Sequence, residues 1–255
     1  MFTDSHTHLY DEQFQADETE MIQRAIDAGV NKMYMPNCDS STIDPMLKIA
    51  DKWPSNCFAM MGLHPCYAKE NYLQELNTVT QWLTNRKFYA IGEIGLDYYW
   101  DLTFKEQQIE VFKTQIDLAL QYDLPIVIHS RESIDDCIAI VKEKQNGRLK
   151  GIFHCFSGNA AQASSIIETG LYLGIGGVVT YKKSTLPDVL KDIPLSHIVL
   201  ETDAPYLAPA PYRGKRNESS YIPVIATKIA EVKNIPIDEV ASITTHNAEK
   251  IFGKD

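Results

Sequence analysis

The chain has no apolar run long enough to cross a bilayer and no basic-apolar leader at Met1-Phe2-Thr3-Asp4, so the first strand is expected to belong to the mature fold of a cytoplasmic protein. Cysteine is scarce and scattered. Cys38, Cys57, Cys66, Cys137 and Cys155 are odd in number and form no C-x-x-C pair, which argues against both a disulfide framework and a cysteine zinc site. Basic residues are outnumbered, 24 against 34 acidic, and the formal charge of −10 disfavours a protein that coats nucleic acid through a broad basic surface. That balance still permits an enzyme that meets phosphate with metal ions. No Gly-x-Gly-x-x-Gly follows an early strand, and no linker, repeat or low-complexity segment interrupts residues 1–255, so one domain is expected.

What the chain does contain is a regular alternation. Short apolar runs occur at Lys32–Asn37, Cys57–Pro65, Phe88–Asp97, Leu124–Arg131, Leu149–Phe156, Leu171–Gly176 and His197–Pro205, after a first strand that carries Asp4-Ser5-His6-Thr7-His8-Leu9. Segments of helical spacing separate them, beginning with Asp17–Gly29, which has an acidic first turn and a glycine stop. Eight strands apolar on both faces predict an α/β fold, a (β/α)₈ TIM barrel. The Tyr221–Phe252 tail is read as additional C-terminal helix packed outside the barrel. An open doubly wound sheet is the alternative, but polar residues end nearly every strand here instead of clustering at one switch point.

In such a barrel the site lies where the strands exit, and those exits supply His6, His8, His64, Glu93, His129, His154 and Asp203. Alternate side chains of an extended strand share a face, so His6 and His8 can hold one ion between them. Taken alone, each residue has an ordinary explanation: a loop cap at His64, a turn carboxylate at Glu93, a hydrogen-bonded core imidazole at His154. Together, several imidazoles and carboxylates at one barrel mouth would repel or stay unpaired without a cation. Four imidazoles and two carboxylates suit two divalent ions, with His6, His8 and Asp203 on one, His129 and His154 on the other, and Glu93 as the bridge. Mixed nitrogen and oxygen ligation suits Zn²⁺, Mn²⁺ or Fe²⁺ readily and Mg²⁺ less so, and the residues do not choose among them. Glu201, two residues before Asp203, is read either as a hydrogen-bond partner of a ligand histidine or as part of an unrelated buried network. His197 begins the eighth strand at the opposite end and is read as structural.

Ser5-His6-Thr7-His8-Leu9, Gly92-Glu93-Ile94-Gly95-Leu96-Asp97, His129-Ser130-Arg131, His154-Cys155-Phe156-Ser157-Gly158 and Glu201-Thr202-Asp203-Ala204-Pro205-Tyr206-Leu207 together resemble the TatD family of metal-dependent deoxyribonucleases, within the amidohydrolase-like barrel superfamily. The resemblance runs from the first strand to the loop near Asn217. It implies hydrolysis of DNA phosphodiester bonds, often as a 3′→5′ exonuclease, with metals on His6, His8, Glu93, His129, His154 and Asp203. In the mechanism expected here, Asp203 accepts the proton of the attacking water, and His64 binds a phosphate oxygen or protonates the leaving group. Arg131 is a candidate phosphate clamp, and Tyr98-Tyr99-Trp100 a candidate platform for an unpaired base. Arg213, Lys215 and Arg216, the one dense basic run, are candidate phosphate contacts beyond the eighth strand. Two other readings compete. One is an amidohydrolase-type enzyme acting on a C–N or lactone bond of a small metabolite, disfavoured because no lysine stands near the exit of the fourth strand. The other is a non-catalytic, metal-stabilised binding protein.

Overall fold

The computed structural model describes residues 1–253. Strands and helices alternate as β1 (Phe2–Asp4), α1 (Glu18–Asp27), β2 (Val30–Met35), α2 (Ile43–Lys52), β3 (Cys57–Ala59), α3 (Tyr72–Asn85), β4 (Ile91–Asp97), α4 (Lys105–Tyr122), β5 (Ile126–Arg131), α5 (Ile134–Lys144), β6 (Gly151–Phe153), α6 (Ala160–Glu168), β7 (Tyr172–Ile175), α7 (Leu186–Asp192) and β8 (Ile198–Leu200). Two helices follow, α8 (Ile222–Lys233) and α9 (Ile237–Phe252). Neighbouring strands pair in parallel in two runs, β1 to β3 and β4 to β8. Both seams between the runs are joined. Met61 bridges to Ile91 on one side, and the Ser5 N–H donates to the Leu200 carbonyl at 2.9 Å on the other. The sheet therefore closes into the TIM-type barrel that the alternation predicts.

Strands covered on both faces lose the period-two alternation of a half-exposed sheet, and β4 is accordingly buried along its whole length. The helices show the complementary pattern. In α1, Met21, Ile22 and Ala25 are buried while Glu18 and Glu20 occupy the first turn, where the helix dipole favours them. In α6 a capping box fixes the start, the Asn159 side chain accepting from Gln162 N–H and the Gln162 side chain from Asn159 N–H. Among the described residues no helix is long and apolar enough to cross a membrane.

The tail departs from expectation in one respect. The last turns of α9 do not lie outside the barrel: Ala248, Ile251 and Phe252 join Tyr34, Phe58, Val127, Ile152 and Val199 in one apolar cluster. Phe252 stacks on Tyr34 with centroids 4.2 Å apart, and Asn247 Nδ2 donates to the Leu195 and Ile198 carbonyls at 2.9 and 2.8 Å. The helix thus plugs the end where the strands begin. Polar side chains gather at the other end.

Candidate metal centre

β1 ends at Asp4, so His6 and His8 lie just beyond the regular strand. The alternation nonetheless persists through them. Thr7 turns away, its N–H donating to the Tyr34 carbonyl at 3.0 Å and its hydroxyl meeting Ser219 Oγ at 3.3 Å. His6 and His8 face the other way, with their Nε2 atoms 3.2 Å apart. Asp4 fixes this segment from below: its carboxylate accepts from the Thr202 N–H and hydroxyl at 3.0 and 2.6 Å and from the Ser219 hydroxyl at 2.7 Å. Complete burial pushes the Asp4 carboxyl up to about 7 despite those donors.

Glu93 is the third residue of β4, deeper than the strand exit where the sequence reading put it. The register between β4 and β5 shifts between Ile91 and Ile94. At that irregularity the Glu93 N–H donates to the Asn37 carbonyl at 3.0 Å, and the Gly92 carbonyl accepts from Asn37 N–H at 3.1 Å. A bulge of this kind re-aims a side chain next to a site. Glycine is required at 92, because a Cβ there would stand 2.8 Å from Val127 Cβ. Burial alone would raise the Glu93 pKa, but the imidazoles of His154, His64 and His6 and a hydrogen bond with His129 hold it well below the usual carboxylate range.

The two Glu93 oxygens serve different donor groups. Oε2 lies 3.3 Å from His6 Nε2 and 3.6 Å from His8 Nε2. Asp203 Oδ1 lies 3.5 Å from both of those nitrogens. His6 Nε2, His8 Nε2 and Asp203 Oδ1 thus stand 3.2–3.5 Å apart as the three corners of one triangle, with Glu93 Oε2 beside its two nitrogens. The centre of such a triangle is about 2.0 Å from each corner, close to the length of a zinc–nitrogen or zinc–oxygen bond. The protons point to the same conclusion. The Tyr10 hydroxyl donates to the Pro36 carbonyl, so at 2.9 Å it accepts from His8 Nδ1, and loss of the Nε2 proton would leave that nitrogen free to ligate. Burial and the neighbouring His154 lower the His6 pKa, which favours a neutral ring. Burial would lower the His8 pKa, but Cys38 and Asp203 outweigh it and raise it, so without an ion a proton on His8 meets the carboxylates, and an ion bound there would displace it.

Glu93 Oε1 heads the second group, 2.9 Å from His129 Nδ1 and 2.9 Å from His154 Nε2. His129 Nε2 meets Asp97 Oδ2 at 2.8 Å, so with its proton there Nδ1 is free to ligate. His64 Nε2 is also 3.4 Å from Glu93 Oε1, but its Nδ1 accepts from the Cys66 N–H at 3.1 Å. In the neutral ring Nε2 then carries the proton, which makes His64 a donor to this cavity and keeps it out of the ligand set. Glu201 Oε1 is 3.6 Å from His154 Nδ1, beyond hydrogen-bond length. That oxygen instead accepts from the Cys155 N–H, and His154 Nδ1 has no hydrogen-bond partner. Asp203 is in the left-handed region at φ 56°, with its N–H donating to the His6 carbonyl at 2.9 Å, a strained conformation of the kind found at functional sites. Burial raises the Asp203 pKa and the His8 hydrogen bond with the His154 and His6 imidazoles outweighs it, so the carboxylate is ionised.

His8, His64, Glu93, His129, His154 and Asp203 line a cavity of about 1210 Å³ at the barrel mouth. The family profile described as TatD related DNase matches residues 3–253. The chain belongs to the TatD family. It is 40% identical over 253 residues to the metal-dependent hydrolase YabD of Bacillus subtilis, covering 99% of both chains. It is 30% identical over 256 residues to a protein of Erwinia amylovora named 3′-5′ ssDNA/RNA exonuclease TatD, covering 98% of this chain and 99% of that one. The crystal structure of the TatD homologue YjjV from Escherichia coli K12 superposes with a TM-score of 0.93 at 32% identity, over 98% of this chain and 97% of that one. The protein is therefore a metal-dependent hydrolase of this family.

Around the mouth the substrate-facing expectations divide. Arg131 lines the cavity and stacks its guanidinium on Tyr99 and Trp100, 3.8 and 5.1 Å from the ring centroids. Tyr98 does not face the cavity. Its hydroxyl donates to Asp136 on α5 at 2.7 Å, and Lys105 lies 4.2 Å over its ring. The cause is Asp97, whose Oδ1 accepts from the N–H groups of Tyr99 and Trp100 at 3.0 and 3.1 Å and turns the chain at the strand end. Arg216 is likewise committed elsewhere, forked onto Asp17 at 2.7 Å through both terminal nitrogens and bonded to Glu218 at 2.9 Å and the Gln13 carbonyl. Arg213 and Lys215 are exposed. His197 is at the strand-start end, against Tyr172, and His246, which the sequence reading passed over, is exposed on α9 beside Glu249. Sequence reasoning also missed two orienting groups, Asp97 for His129 and Tyr10 for His8; the carboxylate ending the β4 run was the visible signal for the first.

Proposed function

We infer that the protein hydrolyses DNA phosphodiester bonds with two divalent ions, removing nucleotides from the 3′ end of a single strand. The observation that carries this reading is the division of the Glu93 carboxylate, one oxygen toward His6, His8 and the other toward His129, His154. His6, His8 and Asp203 with Glu93 Oε2 would hold one ion, and His129 and His154 with Glu93 Oε1 the other. Bound there, such ions lower the pKa of water and neutralise charge on phosphoryl oxygens. The remaining steps belong to side chains. Asp203, ionised and lining the cavity, accepts the proton of the attacking water. The His64 Nε2–H donates to a phosphoryl or leaving-group oxygen. Arg131, fixed on its two rings, offers paired N–H donors to a non-bridging oxygen. Support for the 3′→5′ direction comes from the name of the Erwinia relative. The five free thiols suit a reducing, cytoplasmic setting.

The test is release of mononucleotides from a 3′-labelled single strand by Mn²⁺- or Zn²⁺-loaded protein, beside a chelated control and a panel of lactones and cyclic amides. Nucleotide release that stops on chelation is the expected result. Turnover of a lactone or amide with DNA left intact would overturn it.

A further inference from the structure

Beside the catalytic cavity is a second one, of about 500 Å³, and Leu207 lines both. Its walls include Tyr181, Arg213, Lys215 and Arg216. The cations there are treated differently. Arg216 is neutralised by Asp17 and Glu218, whereas among the described residues Arg213 and Lys215 have no carboxylate within ion-pair distance. Both arginines lie over a ring, Arg216 4.6 Å from the Phe14 centroid and Arg213 4.4 Å from that of Tyr181, so the ion pairs alone separate them. The Tyr181 ring is itself fixed, its hydroxyl donating to the Ala208 carbonyl at 3.0 Å. The loop bearing Arg213 is tied down on both sides: the Ala210 N–H donates to Thr180 Oγ1 at 2.7 Å, and Asn217 Nδ2 to the Thr202 and Tyr206 carbonyls at 2.7 and 2.6 Å.

An arginine positioned by an aromatic face keeps its N–H edge unspent, which is the condition for receiving an anion. Arg131 is held the same way in the first cavity, on Tyr99 and Trp100. In a chain of net charge −10, two ring-seated arginines without counter-charge on either side of one leucine mark a path for a polyanion. The second cavity has room for about one nucleotide and none for a duplex. Resting on the phosphodiesterase reading above, we propose that it is a nucleotide subsite, in which Arg213, seated on Tyr181, binds a backbone phosphate of the same single strand whose neighbouring phosphodiester occupies the catalytic cavity. The ligand is a single-stranded polynucleotide, read through its backbone.

The experiment measures binding apart from turnover. Fluorescein-labelled oligo(dT) of two and ten nucleotides is titrated with full-length protein in EDTA across a salt series, for the parent, Arg213→Ala and Tyr181→Leu. A lost phosphate contact should reduce the slope of log K against log salt for the ten-mer by about 0.7 in Arg213→Ala. The affinity advantage of the ten-mer over the two-mer should shrink about tenfold. Tyr181→Leu, which keeps the charge and removes its seat, should lose most of the same advantage; full retention would reduce the site to a surface charge and overturn the proposal. Oligo(U) should suffer the same losses as oligo(dT), since the backbone is what is read, and a loss confined to one sugar would contradict that. With metal restored, the ratio of kcat/KM for ten-mer to two-mer should fall in step. Unchanged slope, advantage and ratio in Arg213→Ala would remove the subsite while leaving DNA hydrolysis intact. Normal binding shifts in a parent that never cleaves DNA would instead overturn the phosphodiesterase reading and leave the subsite standing.

Discussion

Gly174 on β7 lies directly against the buried Glu201 carboxylate, and Gly174→Ala is the sharpest test of how tightly the floor of the site is packed. A Cβ at 174 would stand 2.2 Å from Glu201 Oε2 and 3.1 Å from His154 Cα. Carbon and oxygen do not approach below about 3 Å, so the carboxylate must retreat by roughly 1 Å, and overpacking of this kind costs about 1–3 kcal/mol. The retreat has a direction with consequences. Glu201 is completely buried, Oε1 accepts from the Cys155 N–H, and His154 is 3.6 Å away. Urea denaturation in EDTA should therefore show a loss of about 1–3 kcal/mol, and competition with a chelator should show metal affinity falling about 10–100-fold, the usual effect of disturbing a group behind a ligand. Glu201→Ala alone leaves the Cys155 N–H without its acceptor, at about 1–3 kcal/mol. The two substitutions are in contact and should not add: removing the carboxylate gives the new methyl its space, so the double variant should be no less stable than Glu201→Ala. Strict additivity, or a Gly174→Ala protein as stable as the parent, would refute the contact.

Elemental analysis should find close to two divalent ions per chain, falling in Glu93→Ala together with activity; one ion with full activity would contradict the shared carboxylate. Asp203→Asn keeps its size but cannot take up a proton at neutral pH, so kcat should fall by about 10²–10⁴; retained turnover with normal metal content would move the base elsewhere, His64 first. Arg216→Ala should cost about 1 kcal/mol after solvent screening, because it breaks the fork to Asp17 and the bond to Glu218. Hydrogen bonds from Arg216 and Arg24 hold Asp17 below its ordinary value, and the same two arginines outweigh burial to lower Glu218. Depressed carboxylate pKa values contribute stability above their unfolded values of about 4 and lose it as pH falls through the folded ones. The gap between parent and Arg216→Ala should therefore be full at pH 7 and close in strong acid, and a gap that widened in acid would exclude the ion pairs as its source.

The barrel was legible because strands buried on both faces leave continuous apolar runs and because parallel strands bring their exits to one end. The gathering of His6, His8, His129 and His154 at one end was legible for the same reason. Glu93 was expected at the strand exit and lies deeper, since a register irregularity between Ile91 and Ile94 leaves no mark in an apolar run. The α9 plug was not legible either. A helix that buries Val240, Thr244, Ala248 and Phe252 has the same pattern whether its neighbour is the outside of a barrel or its open end.

The loops explain the rest. Strand periodicity determines which way a side chain points only while the chain remains extended, and it stops at Asp97. There one carboxylate oxygen takes two successive N–H groups and sends Tyr98 out to α5 while Tyr99 and Trp100 meet Arg131. In the sequence three consecutive aromatics are equivalent. The basic run after β8 poses the same problem for charge: Arg213 and Arg216 differ by three positions and each lies over a ring, Tyr181 and Phe14, yet only Arg216 is paired with Asp17 and Glu218. What separates them is the position of Asp17, 199 residues away in the chain. A long-range carboxylate therefore decides which arginine remains available to a phosphate, and counting cations in a loop overstates its capacity to bind one.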